Sequence, residues 1–206
     1  MDGFPEGFFD RMDSQDDAAF YAPTRLVTHI DDGAIAAVAR LYDELGLTRG
    51  RVLDLMSSWI SHFATPPQEL VALGMNPQEL EANAMATSWV RHDLNTEPTL
   101  PFDDERFDAA VCCVSVDYLV RPLEVFREVA RVLVPGGLFV CTFSNRCFPT
   151  KAIAGWLAND ERGRVAIVGE YFRRSGGWAD VTAQQRPTPA WGDPLFAVWA
   201  RRGPGQ

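Results

Sequence analysis

The chain has 206 residues, of which 47% are hydrophobic and 23% are charged, a balance typical of a globular protein. This length predicts one main domain that buries about 70% of its unfolded surface. The formal net charge of -9, with no stretch that concentrates basic residues, argues against a nucleic-acid partner and an anionic membrane surface. We therefore expect neither kind of partner.

The four cysteines show no spacing typical of a metal site or a disulfide framework. Cys112, Cys113 and Cys141 lie inside apolar runs, which favours reduced thiols of the kind found in a cytoplasm. The amino terminus has no apolar segment of signal-peptide length, and nothing approaches a membrane span. We expect a cytoplasmic protein without a metal, and the sequence leaves its oligomeric state open.

Residues 1–46 are expected to form an arm and a helix that pack on the main domain. Residues 1–17 mix glycine, proline and five aspartates with three phenylalanines and show no period. Asp31 or Asp32 is the expected N-cap of a helix that continues to about Leu45.

Two buried strands are predicted next, at Arg51 to Leu55 and at Leu70 to Leu73. The connection between them leaves room only for a short helix, near Trp59 to Phe63. A second helix is expected after Asn76, and a short edge strand at Ser88 to His92.

The stretch from Asp104 to Arg146 is the most informative part of the sequence. Ala109 to Val114 is an apolar run typical of a strand covered on both faces, and apolar residues at helical spacing follow it. The sequence then turns at Val134 to Gly137 and gives a second buried strand at Leu138 to Phe143. This strand, helix, strand order predicts a parallel sheet, in which ligands bind beyond the carboxyl ends of the strands.

The carboxyl-terminal part predicts two helices between Pro149 and Arg174, broken near Gly163, and then two strands. The strands, Trp178 to Thr182 and Leu195 to Ala200, suit an antiparallel pair at the sheet edge. The predicted fold is therefore an α/β domain over residues 47–201, a mostly parallel sheet with helices on both faces. Residues 202–206 are expected to be a tail.

From about Arg51 to Arg201 the chain resembles the class I S-adenosylmethionine-dependent methyltransferases. The likeness is strongest in LPFDDERFDAAVCCVSVDYLVRPLEVFREVARVLVPGGLFVCTF, which looks like that family's section from the adenine loop through the fourth and fifth strands. The resemblance implies a Rossmann-like three-layer fold with a seven-stranded sheet of order 3-2-1-4-5-7-6, whose seventh strand is antiparallel. It also implies S-adenosyl-L-methionine as the cofactor.

The resemblance places the cofactor at successive strand ends, with two departures from the family pattern. Asp54 matches the acidic residue that ends the first strand, but the family's glycine-rich loop is replaced here by a segment without glycine. An amide, Asn76, stands where the family has the carboxylate that binds the ribose, whereas Asp93 and Leu94 match the adenine position. The cofactor-binding candidates are Asp54, Met56, Ser57, Ser58, Trp59, Gly74, Met75, Asn76, Asp93, Leu94, Asn95 and Ser115.

The altered loop leaves two arrangements open. Ser57 and Ser58 at the start of the short helix would offer hydroxyl and N–H groups to the cofactor carboxylate, with Trp59 as a wall of the pocket. Alternatively, the loop fills the pocket and nothing binds. Asn76 likewise has two readings, a ribose contact and the cap of the helix that Pro77 begins.

The acceptor side of the site has three candidate general bases, namely His29, His62 and Asp117. Tyr21 and Arg25 are candidates for a lid, and a structural role explains each of these residues as well. The substrate-binding candidates are Tyr21, Arg25, Tyr118, Asn145, Arg146 and Lys151.

The leading hypothesis is a methyltransferase that acts on a small-molecule acceptor, because the compact chain has no added substrate domain and no basic face. The alternative is a catalytically inactive relative that binds the cofactor, its product or a partner chain. A third possibility is that Asn76 and the serine loop suit another nucleotide-like ligand.

Overall fold

A computed structural model describes residues 3–204, so the ends of the predicted arm and tail, residues 1–2 and 205–206, lie outside the described residues. Seven strands form one sheet: β1 (Arg51–Leu55), β2 (Glu69–Gly74), β3 (Ser88–Arg91), β4 (Phe107–Cys113), β5 (Leu133–Phe143), β6 (Trp178–Arg186) and β7 (Leu195–Arg202). The α-helices are α1 (Asp17–Tyr21), α2 (Asp32–Glu44), α3 (Pro77–Glu81), α4 (Pro122–Val132), α5 (Ala154–Leu157) and α6 (Glu161–Ser175).

The strand order is β3-β2-β1-β4-β5-β7-β6, which confirms the predicted topology. Pairing is parallel from β3 through β5, and β7 is antiparallel to both of its neighbours. The carboxyl ends of the parallel strands therefore meet at one edge of the sheet.

Two hydrophobic clusters hold the sheet between helices. Val52 packs into the cluster that contains Val38 of α2, whereas the adjacent Leu53 packs into the cluster that contains Phe126 of α4 and Phe172 of α6. Neighbouring strand residues point to opposite faces of the sheet, so a strand covered on both sides needs apolar residues at every position. The predicted three-layer α/β fold is confirmed.

Three local predictions are wrong. No helix forms at Trp59 to Phe63, because the chain leaving β1 is drawn across β2 by a hydrogen bond from the N–H of Ser57 to the carbonyl of Leu73, 2.8 Å. The break between α5 and α6 lies before Gly163, since Asp160 caps α6 and accepts from the Gly163 N–H at 2.9 Å. Strand β5 begins at Leu133, before the Gly-Gly pair rather than after it.

The amino-terminal arm docks on the first residues of α5. The N–H groups of Ala154 and Gly155 donate to the carbonyls of Asp10 and Phe8, at 2.7 and 2.8 Å. The arm's aromatic rings form a cluster that reaches Tyr171 of α6. The aromatic residues of the arm therefore pack against the hydrophobic cluster that contains Tyr171.

Asp17, at the start of α1, fixes the end of the arm. Its carboxylate accepts from the guanidinium of Arg11, from the ammonium of Lys151 at 3.0 Å and from the amide of Asn95 at 2.9 Å. Lys151 is completely buried, and it also binds Asp13. These contacts hold the segment that follows, residues 20–27, beside the carboxyl ends of the strands.

No helix within residues 3–204 is both long enough and apolar enough to cross a membrane. All four cysteines have free thiols, and Cys112 and Cys141 are buried in the sheet.

Gly74 at the end of β2 permits the close crossing of the loop that follows β1. A Cβ atom at position 74 would lie 2.2 Å from the backbone oxygen of Ser57, a distance that requires the backbone to move. Glycine is therefore a steric requirement of the loop path.

We predict that Gly74→Ala lowers the free energy of unfolding by about 1–3 kcal/mol, because a methyl group must be fitted against backbone atoms. Urea denaturation at a single pH measures the change. Gly203→Ala is the matched control, since the nearest neighbour of its Cβ atom is 3.5 Å away. Equal stability of the Gly74→Ala protein and the wild type would contradict the steric requirement.

Candidate functional site

A cleft lies at the carboxyl ends of β1, β2 and β4. Including the solvent at its mouth, it has a volume of about 1250 Å³. It is lined by the loop after β1, the turn after β2, the loop after β3 and parts of residues 17–29.

The cleft brings together the predicted cofactor residues and part of the predicted acceptor side. These cleft-lining residues are Asp54, Met56, Ser57, Ser58, Trp59, Gly74, Met75, Asn76, Asp93, Leu94, Asn95, Ser115, Tyr21, Arg25, Tyr118, His29 and His62.

Four predicted residues lie outside the lining of the cleft. Lys151 uses its ammonium group on Asp13, Asp17 and the carbonyl of Gln15. Arg146 pairs with Asp193 at 3.2 Å. The other two are Asn145, which accepts from Ser144 Oγ, and the buried Asp117.

Asp54 organises the loop that follows β1. Its Oδ2 accepts from the hydroxyl groups of Ser57 at 2.7 Å and Ser61 at 2.5 Å. Burial raises the pKa of Asp54 to about 6, although the two serine hydroxyls oppose this shift by stabilising the carboxylate. Asn83 completes the anchor by donating to Ser61 Oγ at 2.8 Å.

The loop after β1 contains no glycine, yet one of its residues has a backbone conformation typical of glycine. Several of its backbone N–H groups have no acceptor within the described residues. Met56 has φ 54°, in the left-handed region that other residues rarely occupy. The backbone N–H groups of Ser58 to His62 donate to no acceptor within residues 3–204. Since all of these residues line the cleft, the N–H groups are left to solvent or to an anionic group of a ligand.

Asn76 caps α3 and holds the segment 20–27. Its Oδ1 accepts from the N–H groups of Gln78 and Glu79, at 3.0 and 3.2 Å. Its Nδ2 donates to the carbonyls of Tyr21 and Ala22, at 3.0 and 3.2 Å. The predicted capping role is present, and both ends of the amide are engaged.

Glu79 is a cleft residue that the sequence analysis missed. Asn76 and Glu79 have the spacing of a capping box, in which the glutamate would return to the N-cap N–H. Instead, the Glu79 carboxylate accepts from the Arg25 N–H at 2.7 Å and from Ser58 Oγ at 2.6 Å. The carboxylate is thereby directed into the cleft, between the segment 20–27 and the loop after β1.

The loop after β3 is fixed by its own side chains. Asp93 accepts from the N–H of Asn95 at 2.9 Å and from Thr96 Oγ1 at 2.8 Å. The Asn95 amide joins Asp17 to the carbonyl of Tyr118, at 2.9 Å each. This loop and the arm therefore support each other.

Segment 20–27 crosses the mouth of the cleft. The indole N–H of Trp59 donates to the carbonyl of Val27 at 3.0 Å, so Trp59 forms part of the rim. The guanidinium of Arg25 lies over the rings of Phe20 and Phe148, at 4.7 and 5.9 Å. The acceptor side of the cleft thus has mainly aromatic walls.

Two histidines face this space. His62 is 8% exposed, and its Nδ1 has no partner among the described residues. Burial, helped by the charge of the neighbouring His29, lowers the pKa of His62 to about 4. His29 stands at the exposed rim beside Phe148, and desolvation on its packed side lowers its pKa, an effect that Glu79 opposes and Arg25 adds to.

These residues fit S-adenosylmethionine. The unpartnered N–H groups of the loop after β1 suit its carboxylate, and the carboxylates of Asp54, Glu79 and Asp93 suit amino, hydroxyl and adenine donors. Two buried polar atoms, His62 Nδ1 and the hydroxyl of Tyr42, have no partner within residues 3–204 and belong to residues that line the cleft. The chemistry of the site therefore agrees with a zwitterionic nucleoside ligand.

Asp117 is 2% exposed, and its Oδ2 has no hydrogen-bond partner among the described residues. Burial raises its pKa to about 7, which its own backbone N–H and Arg164 oppose. Because Asp117 does not line the cleft, its position favours a structural role over proton transfer.

Comparison with known proteins agrees with the geometry. A family model described as a methyltransferase domain matches residues 44–141. An uncharacterized methyltransferase of Mycolicibacterium vanbaalenii is 28% identical over 193 residues, which cover 88% of this chain and 71% of that protein. A mitochondrial 2-methoxy-6-polyprenyl-1,4-benzoquinol methylase of Danio rerio is 29% identical over 98 residues, 43% of this chain and 29% of that protein.

Solved structures have the same fold at low identity. The 1,6-didemethyltoxoflavin-N1-methyltransferase of Burkholderia thailandensis, with 1,6-didemethyltoxoflavin and S-adenosylhomocysteine bound, has a TM-score of 0.60 and 17% identity, covering 84% of this chain and 80% of that one. A possible histamine N-methyltransferase of Thermotoga maritima has a TM-score of 0.59 and 14% identity, covering 82% and 88%.

We predict that the Asp117→Asn protein becomes more stable relative to the wild type as pH rises. In the folded protein the pKa of Asp117 is about 7, whereas its ordinary value is 3.8. Between about pH 4 and pH 7 the folded wild type therefore keeps a proton that the unfolded chain has released. The wild type loses stability as pH rises through this range. The change is at most about 4 kcal/mol.

Urea denaturation at pH 5 and pH 8 measures this difference. Asp103→Asn, at an exposed position, is the matched control for the change of charge. A difference for Asp117→Asn that is the same at both pH values would contradict the prediction.

Proposed function

Since this chain belongs to the class I S-adenosylmethionine-dependent methyltransferases, we propose that its methyl acceptor is a small molecule. The observation that carries the proposal is the closure of the cleft by segment 20–27. This segment is held by Asn76, Glu79 and Trp59, so an acceptor must fit beneath it.

The walls of the cleft support this size class. Tyr21, Tyr118 and Phe148 surround the acceptor side, and such rings suit a compact planar or apolar group. A macromolecular acceptor would have to displace segment 20–27 and would meet a chain of net charge -9, which repels nucleic acid.

The similar proteins whose names state a substrate add support. The structure from Burkholderia thailandensis holds 1,6-didemethyltoxoflavin, and the Danio rerio protein is named for a 2-methoxy-6-polyprenyl-1,4-benzoquinol. Neither name states a protein or a nucleic acid as the acceptor. No comparison favours the non-catalytic alternative, and we place the enzyme in the cytoplasm on the sequence grounds given above.

The protein's main task in methyl transfer is to align two reactants and exclude water. S-adenosylmethionine, when bound, supplies the sulfonium methyl group. Segment 20–27 excludes water above the cleft, and the aromatic walls orient the acceptor. An acceptor hydroxyl or ammonium group must also lose a proton, which requires a base in the cleft.

His29 is the best base of the three histidines that line the cleft, since His92 uses its Nε2 on the carbonyl of Glu97. The pKa of His62, about 4, leaves its imidazole neutral but weakly basic at neutral pH. His29 is less deeply buried than His62, and its lowered pKa leaves its imidazole neutral and able to accept a proton at neutral pH. We assign proton acceptance to His29 and a hydrogen bond to the acceptor or cofactor to His62.

The proposed acceptor class predicts where a labelled methyl group goes. Purified enzyme incubated with S-adenosylmethionine carrying a tritium-labelled methyl group and a bacterial cell extract should transfer label to the low-molecular-mass fraction. Denatured enzyme measures the background. Label that enters only the protein or nucleic-acid fraction would overturn the proposal.

For a hydroxyl or ammonium acceptor, His29→Gln should lower the rate of methyl transfer by about 10²–10⁴-fold, because the proton has no acceptor. The wild-type rate should fall as pH drops through a value below 6.5, where His29 gains a proton, and the variant should lack this fall. His92→Gln is the matched control, since His92 Nε2 already contacts the carbonyl of Glu97.

The pH profiles distinguish a base from a packing residue. If the His29→Gln enzyme is slower but keeps the acid limb of the wild type, His29 is not the base.

A further inference from the structure

The end of β2 has no free group for a ribose. In doubly wound sheets an acidic residue at this position commonly binds the ribose hydroxyl groups of a nucleotide. Here the position is Asn76, whose two donors and two acceptor sites are taken by α3 and by the segment 20–27. A ribose contact at Asn76 would therefore cost a helix cap or a contact that closes the cleft.

Glu79, one helical turn further on, does have free capacity. Its side chain lines the cleft and is 9% exposed. Each carboxylate oxygen accepts one hydrogen bond, from the Arg25 N–H and from Ser58 Oγ, while a carboxylate offers about four acceptor sites. No cation of the described chain pairs with it within 4.0 Å, so its remaining acceptor sites are open to donor groups of a ligand.

We infer that Glu79 accepts the two ribose hydroxyl groups of the adenosyl ligand in this chain, in place of Asn76. Two neighbouring hydroxyls match the one remaining acceptor site on each carboxylate oxygen. Because the same carboxylate binds the Arg25 N–H, ribose binding and closure of segment 20–27 depend on one side chain. The inference rests on the family's cofactor and is independent of the proposed acceptor.

Calorimetric titration with S-adenosylhomocysteine and with its 2′,3′-dideoxy analogue tests this role without an acceptor. The wild-type protein should bind the ribose form at least about 10-fold more tightly, since hydrogen bonds to a charged group are lost in the analogue. Glu79→Gln should weaken binding of the ribose form by about 10-fold and bring the ratio of the two affinities close to one.

Glu81→Gln is the matched control, because Glu81 is exposed on the same helix and lies outside the cleft lining. It should leave both affinities unchanged. Equal weakening of both ligands by Glu79→Gln would mean that Glu79 only closes the cleft, and would overturn the inference.

Two further measurements keep the test decisive even if the Glu79→Gln protein does not fold. A wild-type ratio near one would overturn the inference without any variant. Tighter binding of S-adenosylhomocysteine by Asn76→Asp would place the ribose at residue 76 and would also overturn it.

Discussion

The hydrogen bond from the N–H of Ser57 to the carbonyl of Leu73 sets the shape of the site. It pulls the chain that leaves β1 over the carboxyl end of β2, a path that requires glycine at position 74. Asp54 then fixes the far end of the loop through Ser61. Between these anchors the backbone forms no regular structure, so its N–H groups stay available in the cleft.

The long apolar patterns made the fold predictable. A strand buried on both faces shows a continuous apolar run, and the alternation of strands and helices predicts a parallel sheet. The order of the strands was implied by the family resemblance. The local errors have a different origin. The expected helix at Trp59 to Phe63 loses to the tertiary contact of Ser57, and the capping carboxylate of Asp160 outweighs the helix-breaking tendency of Gly163.

The site residues that could be predicted from the sequence are those at the carboxyl ends of strands. Asp54 lies near the end of β1 and Asp93 follows β3, and both line the cleft. Lys151 was a substrate-binding candidate, with a surface ion pair as the alternative, because lysine is rarely buried unless it is paired. Its partner Asp17 lies 134 positions earlier in the chain, and no local pattern relates the two. The role of Glu79 in the cleft was not predicted, because a glutamate three residues after the N-cap is already explained by a capping box.

The carboxylates in and beside the cleft differ in how their negative charge is balanced. Asp17 is neutralised by Arg11 and Lys151, whereas Asp54 and Glu79 receive only neutral hydroxyl and N–H donors from the described residues. A cation in the cleft would stabilise both carboxylates and lower the raised pKa of Asp54. A sulfonium ligand brings such a charge and its demethylated product does not. The carboxylates of Asp54 and Glu79 therefore complement the charge of the methyl donor better than that of its product.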